Sequence, residues 1–322
     1  MSEPLDLDGM LIQWGDRLFY PGNRIVKSAS PPRLSGLVAR LRAMALRERI
    51  AATIVRRAPQ VMVKVTGGGR GMKAIVAHWR YISKSGRLEI EDERGQTMRG
   101  KEALRELADD WRLGGSLIGA TSERREAFNV MLSMPRGTDP LSLLWAARQF
   151  AQVELADHKY LMVLHDHQAN PHVHISVRTE SKHGRRLNPR KGDLHRWRET
   201  FAAKLRERGI EAEATRQATR GSSRNHDPLW RIKAGESGRL RTSRAAMKSG
   251  ARARATRSAA RSSWQQLARM LGASSDIGDR ELARSIEDYV SSFIVRDAQA
   301  ILSRAAPGAD RNKPAGDTER SR

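Results

Sequence analysis

Cysteine is missing from this sequence altogether, which excludes a disulfide framework and any thiolate-based structural zinc site. Long apolar runs are missing too. No stretch approaches the roughly 20 residues needed to cross a bilayer, and there is no lipidation signal, so no membrane insertion is expected. The opening residues, Met1 to Asp8, are acidic and lack the basic and apolar regions of a signal peptide, so the expected compartment is the cytoplasm. Acidic side chains are scarce: 36 stand against 59 lysines and arginines, for a formal net charge of +23. A surface this basic attracts polyphosphate, which makes nucleic acid the leading partner and an anionic membrane the second. From Ser237 through Ser275 there is no acidic residue at all. Tyrosine occurs only four times, at Tyr20, Tyr81, Tyr160 and Tyr289.

What is present is concentrated in one place. Four of the nine histidines lie within the ten residues His165-Asp-His-Gln-Ala-Asn-Pro-His-Val-His174. Pro171 cannot sit in mid-sheet, so one strand is expected to end before it and another to begin after it. After the proline, His172, His174 and Ser176 alternate with Val173, Ile175 and Val177, which puts both histidines on one face of a strand. Before it, the apolar run Tyr160–Leu164 reads as a buried strand that delivers His165 to its end. Paired as a hairpin, the two strands would bring three imidazoles together with an open fourth position. That describes a catalytic metal site better than a closed structural one.

The rest of the chain supplies alternating elements. Gly36–Val55 has helical spacing at Leu37, Val38, Leu41 and Met44, a packing or partner helix with a basic face. Val61–Val65 reads as a strand and runs into Gly67-Gly-Gly-Arg-Gly71, after which Ile75, Trp79 and Ile82 fall on one helical face. Such a turn is either a plain connector or a phosphate-holding helix start that could include Arg70. There is no Gly-Lys-Ser/Thr, so it is not a nucleotide P-loop. A helix is expected at Lys101–Arg112, and a strand from Ala127 through Ser133 to Met134. Thr138 or Asp139 would cap a helix over Pro140–Leu155 with an apolar stripe of Leu141, Leu144, Ala147 and Phe150. Beyond the histidines, the basic stretch Ser181–Lys191 leads into a helix at Asp193–Arg208 that carries Trp197, Phe201 and Leu205.

His165, six intervening residues and His172-hydrophobe-His174, with Asn170-Pro171 before the pair, resemble the third motif of HUH relaxases, the single-strand nickases that start conjugative transfer. The likeness is to the mobilisation branch that includes the T-DNA border endonuclease. Tyr81-Ile-Ser-Lys-Ser-Gly86 is similar to the Tyr-Leu-Ser-Arg-Lys-Gly context of that branch's nucleophile. Ser133, ending a strand before a Pro/Gly turn, matches the family serine that contacts DNA; a buried serine bonded to backbone is the competing account. The likeness spans roughly residues 60–220. It implies an α+β fold, a central antiparallel sheet flanked by helices, over residues 59–222, with an N-terminal extension at 1–58 and a basic, helical or disordered C-terminal region at 223–322.

The same resemblance implies the chemistry. Tyr81 would attack the scissile phosphodiester, giving a 5′-phosphotyrosine and a free 3′-hydroxyl. A divalent ion held by His165, His172 and His174 would polarise the phosphate. Mg²⁺ or Mn²⁺ is the family's usual ion, while three imidazoles also suit Zn²⁺. Arg70, Arg80, Lys84 and Ser133 would contact the strand. Relatives carry an aspartate two positions after the first histidine; here that place holds His167, so Asp166, Glu126 and Asp139 are the candidates for the acid that orients a ligand histidine. Origin-of-transfer DNA, accessory relaxosome proteins, a secretion coupling protein and export through a type IV system are the implied partners and route.

Two rival readings share some of these residues. A rolling-circle replication initiator uses the same chemistry, and Tyr81-Ile-Ser-Lys84 fits its Tyr-x-x-Lys pattern, but such proteins place the tyrosine after the histidine pair. A non-catalytic basic nucleic-acid-binding protein would need only the charge. The arginine-rich Arg252–Arg257 stretch could be a disordered arm or a helix formed on nucleic acid. Glu281–Ser303 has a balanced helical pattern, and residues after Pro307 are expected to be disordered.

Overall fold

The computed structural model describes residues 7–20, 36–168, 170–221, 234, 237–239 and 250–305, so the expectation of disorder after Pro307 lies outside the described residues. The chain divides into two compact units: one holds residues 56–216, and the other joins the N-terminal segments to residues 217–322.

The first unit is built on a six-stranded antiparallel sheet in the order β1-β4-β6-β5-β2-β3. Its strands are β1 (Met62–Gly67), β2 (Ile90–Asp92), β3 (Thr97–Met98), β4 (Ala127–Ser133), β5 (His158–His165) and β6 (His172–Ser181). The expected α+β architecture is what the chain adopts. The period-2 alternation of β6 explains the layering. Val173, Ile175 and Val177 face one side, where they are fully buried against Ala147 and Phe150 of α5 (Pro140–Glu154) and Trp197 and Phe201 of α6 (Lys191–Arg206). The opposite side of the sheet packs on α3 (Met72–Ile82) and α4 (Gly100–Leu113), through a cluster of Ile75, Trp79, Leu104 and Trp111 with Leu161 and Val163 of β5. Trp79 and Trp111 meet edge to face at 4.8 Å, and the Trp79 indole N–H donates to Ser176 Oγ on β6 at 3.0 Å. That bond satisfies the one polar atom of a side chain otherwise wholly inside.

Two expected stripes differ in part. On α5, Ala147 and Phe150 are buried and Leu144 packs against the core as expected, but Leu141 is exposed, and Leu143, Ala146 and Ala151 join the buried face. Pro140 at the first turn and Asp139, whose carboxylate accepts the Ser142 N–H at 2.8 Å, set the start of the helix and hence its rotation. The helix over Gly36–Val55 is also real, as α2 (Gly36–Ile54), but Leu37, Val38, Leu41 and Met44 are exposed while Ala43, Leu46 and Ile50 are buried. α2 carries apolar residues on more than one side, so spacing alone did not identify the packed face.

The second unit is helical: α1 (Leu7–Phe19), α2, α7 (Ala251–Gly272) and α8 (Ile277–Ala305) enclose one core with Trp264 at its centre. The arginine-rich stretch is thus an ordered part of α7, in place of the disordered arm among the expectations. Ala260, Trp264, Leu267 and Leu271 recur at helical spacing and bury there, and burial of this kind stabilises a helix whose other faces are basic.

The glycine-rich turn before α3 is a packing device. Gly71 has φ 90° and ψ 164°, a region open essentially to glycine alone, and an added Cβ would lie 2.5 Å from the Ala120 carbonyl oxygen. The first helix N–H groups are already used: Met72 donates to Gly119 and Lys73 to Ala120. Two of the donors a phosphate cradle would use are thereby taken by a neighbouring loop. Gly71→Ala is expected to destabilise the protein by at least about 1–3 kcal/mol, the scale of a residue forced into this region, read from the midpoint of urea unfolding.

Candidate active site

β5 and β6 pair with His165 directly opposite His172, and His174 pairs with Val163 two positions up the strand. The three histidines project to the α3 side of the sheet. Each offers a nitrogen within 4.8 Å of the other two, and their ring centroids are 4.7–5.0 Å apart. The hydrogen bonds around them sort the ring nitrogens. His165 donates from Nε2 to the Ile82 carbonyl at 2.6 Å, and His172 donates from Nδ1 to the Asn170 carbonyl at 3.0 Å. That leaves His165 Nδ1 and His172 Nε2 as lone-pair atoms. His165 Nδ1 and His174 Nδ1 are buried and have no hydrogen-bond partner among the described residues.

Buried ring nitrogens without partners are costly unless something occupies the space between them. A divalent cation answers that requirement, and imidazole is a suitable donor for ions such as Zn²⁺. The protonation states agree. Burial, reinforced by His165, His172 and His78, pushes His174 down to about 3, and burial likewise lowers His165. Both rings are therefore neutral near pH 7 and need lose no proton to become ligands.

Tyr81 sits in the last turn of α3 and is exposed. The bond from His165 to Ile82, the very next residue, ties that end of the helix to the histidines. A fourth imidazole, missed in the sequence, bridges the remaining space: the His78 ring lies 6.4 Å from the Tyr81 ring and 6.3 Å from that of His174. His78 Nε2 is buried with no partner among the described residues, and burial lowers the pKa of the ring. The available signal was its i, i+3 spacing to Tyr81 on a helix. The turn after Tyr81 is strained: Lys84 and Ser85 both have positive φ, 50° and 61°, at a cost of about 1–2 kcal/mol each.

The other expected residues are distributed unevenly. Ser133 pairs with His172 across the sheet, so it is beside the cluster, but it is buried and its hydroxyl donates to the Pro171 carbonyl at 3.2 Å. This is the backbone-bonded arrangement of the competing account. Arg80 and Lys84 flank Tyr81 and are exposed, whereas Arg70 donates to the Glu123 carbonyl at 3.0 Å. None of the three candidate acids accepts a hydrogen bond from a cluster histidine among the described residues. Asp166 approaches His167 at 4.0 Å, and Asp139 caps α5. Glu126 precedes the β4 residue paired with Arg178, six strand positions or about 20 Å from the one paired with His172; Arg124, Ser122 and Arg186 hold it there. His165 and His172 are oriented by main-chain carbonyls instead.

Residues 81–210 match the family model described as relaxase, MobA/VirD2-like, nuclease domain. Over these residues the chain carries a relaxase-type nuclease domain. The matched segment opens on Tyr81 and contains Ser133 and all three histidines. Arg70, Arg80 and His78 precede it. No curated protein matches the chain. The family carries DNA nicking and DNA binding with it, and the histidine triad fits a metal site. Among the described residues no helix is long and apolar enough to cross a membrane. Replacing His172 or His174 by alanine is expected to weaken Mn²⁺ binding by more than about 100-fold, beyond the 10–100-fold scale of losing a residue that only supports a ligand. Isothermal titration calorimetry checks it, and retained affinity in both variants would remove the site.

Proposed function

We propose that this relaxase nicks one strand of an origin of transfer by attack of Tyr81 on a phosphodiester, for conjugative mobilisation. The observation that carries the reading is the His165–Ile82 hydrogen bond, which joins the histidine cluster to the end of the helix bearing the phenol. The metal would be held by His165, His172 and His174. When bound, it supplies charge that polarises a non-bridging phosphate oxygen.

The chain's own residues do the rest. Tyr81 is exposed, so a strand can reach it, and its ring is 6.4 Å from that of His78, which is itself 6.3 Å from that of His174. Its oxygen forms a bond to phosphorus as the bond from phosphorus to the 3′-oxygen breaks. The phenolic proton leaves Tyr81 and the departing 3′-oxygen takes up a proton, leaving a 5′-phosphotyrosine and a 3′-hydroxyl. One phosphodiester is exchanged for another, so the reverse attack by a 3′-hydroxyl can reseal the strand. Exposed Arg80 and Lys84, on either side of Tyr81, are suited to phosphate contacts. Ser133 supports the reading as a brace for the Pro171 turn that carries His172, rather than through a free hydroxyl.

The order of the residues, tyrosine before the histidine pair, supports a relaxase over a rolling-circle initiator. Cytoplasmic action completes the proposal on the character of the opening residues, and relaxosome partners, a coupling protein and passage through a type IV secretion channel on the family resemblance alone.

Incubating the protein and Mn²⁺ with a pool of single strands from candidate origins should yield a protein–DNA adduct whose nucleotide-bearing peptide contains Tyr81. Tyr81→Phe should abolish the adduct while leaving strand binding within about two-fold, since one hydroxyl is lost without a charge. An adduct that persists in this variant would sink the assignment. A wild type that binds strands and never forms one would leave a basic binding protein.

A further inference from the structure

The face of α3 next to Tyr81 borders a second feature. A groove of about 600 Å³ lies between α3 and α4, lined by Arg80, Lys101, Arg105 and Asp109 around Val76 and Leu104. Helical geometry relates it to the candidate active site. Val76 and Arg80 are four residues apart and share one flank of α3, whereas His78 and Tyr81, three apart, lie about 150° round the helix on the flank that meets His174. A strand laid over the end of this helix therefore crosses from the cluster to the groove within one helix diameter, about 10 Å, which is the span of one or two nucleotides. Ser85, in the strained left-handed turn, also borders the groove, so the turn that closes the tyrosine's helix shapes its mouth.

We propose that this groove is a nucleotide subsite. It would hold the part of the single strand next to the attacked phosphate, with phosphates on Arg80, Lys101 and Arg105 and a base on the apolar floor. The inference deepens the relaxase reading and rests on it. Three observations select the occupant. The volume falls within the range of small-ligand clefts, large enough for a nucleotide unit and too small for a duplex. The rim carries three cations against one carboxylate, and Arg80, Lys101 and Arg105 are all exposed. Glu102 neutralises Arg105 in part, at 2.6 Å and at an exposed position where such a pair is worth little and exchanges readily for phosphate. Val76 and Leu104 provide a floor on which a base gains contact that a bare phosphate ion would not use. Asp109 disfavours phosphate at its own end and suits the amino edge of a base.

Counterion release makes the test quantitative. On single strands each phosphate contact adds about 0.7 to the slope of log affinity against log salt. Binding of a fluorescein-labelled random-sequence oligodeoxynucleotide is measured by anisotropy over a salt series, with the full chain in the Tyr81→Phe background. Arg80→Gln, Lys101→Gln and Arg105→Gln together are expected to lower the slope by about 2, and the charge-keeping set Arg80→Lys, Lys101→Arg, Arg105→Lys to restore it. An unmoved slope in a glutamine variant that keeps the parent's unfolding midpoint overturns the groove. So does a lysine–arginine set that fails to restore a lowered slope. Failure of the wild type to form a Tyr81 adduct counts instead against the relaxase reading, since the slope is measured without cleavage.

Discussion

The hydrogen bond from His165 Nε2 to the Ile82 carbonyl is the contact on which the rest of the candidate site depends. It uses the last turn of a helix, where carbonyls have no partner within the helix, to fix the tautomer of a histidine on the neighbouring strand. Two requirements are met at once: the helix end gains a donor, and the imidazole turns its other nitrogen inward. The sheet contributes the remaining order, because the β5–β6 register places His172 opposite His165 and the pleat sends His174 to the same side. Beneath them, Trp79 is wedged against Trp111 and bonded to Ser176, so α3 is held to the sheet from its middle as well as from its end.

The two units solve different problems with the same basic composition. In the nuclease unit, arginines near the sheet are spent on main-chain carbonyls and on buried acids; Arg178, almost fully buried, bonds the carbonyls of Trp111 in the last turn of α4 and of Gly114 and Ser116 beyond it. In the helical unit, Arg47 bridges Asp8 and Asp279, tying three helices together. Part of the net charge is thus structural, and the cations left exposed near Tyr81 are the ones with phosphate to gain.

Much of this was legible in the sequence where a short pattern and a local rule coincide. The alternation of His172 to Val177 fixed which side of β6 faces the helices, and Trp197, Phe201 and Leu205 are buried as their spacing required. Legibility failed where one rule competes with another. α2 offers apolar residues on two sides, and only tertiary contact chooses between them. The glycine-rich turn looked open because sequence does not show that the Gly119–Ala120 loop fills it. The orienting groups of the histidines were sought among carboxylates, yet for His165 and His172 they are backbone oxygens, which every residue carries and no motif can reveal. α1 and α7 share a core although nearly the whole chain separates them, a pairing no local period encodes.

The choice of carbonyls over carboxylates has an electrical consequence. The peptide carbonyls that back His165 and His172 carry no formal charge of their own. A dication held by such ligands would keep more of its charge for an arriving anion than one held by carboxylates. Such a pocket suits a substrate that brings its own counter-charge, as a phosphodiester does.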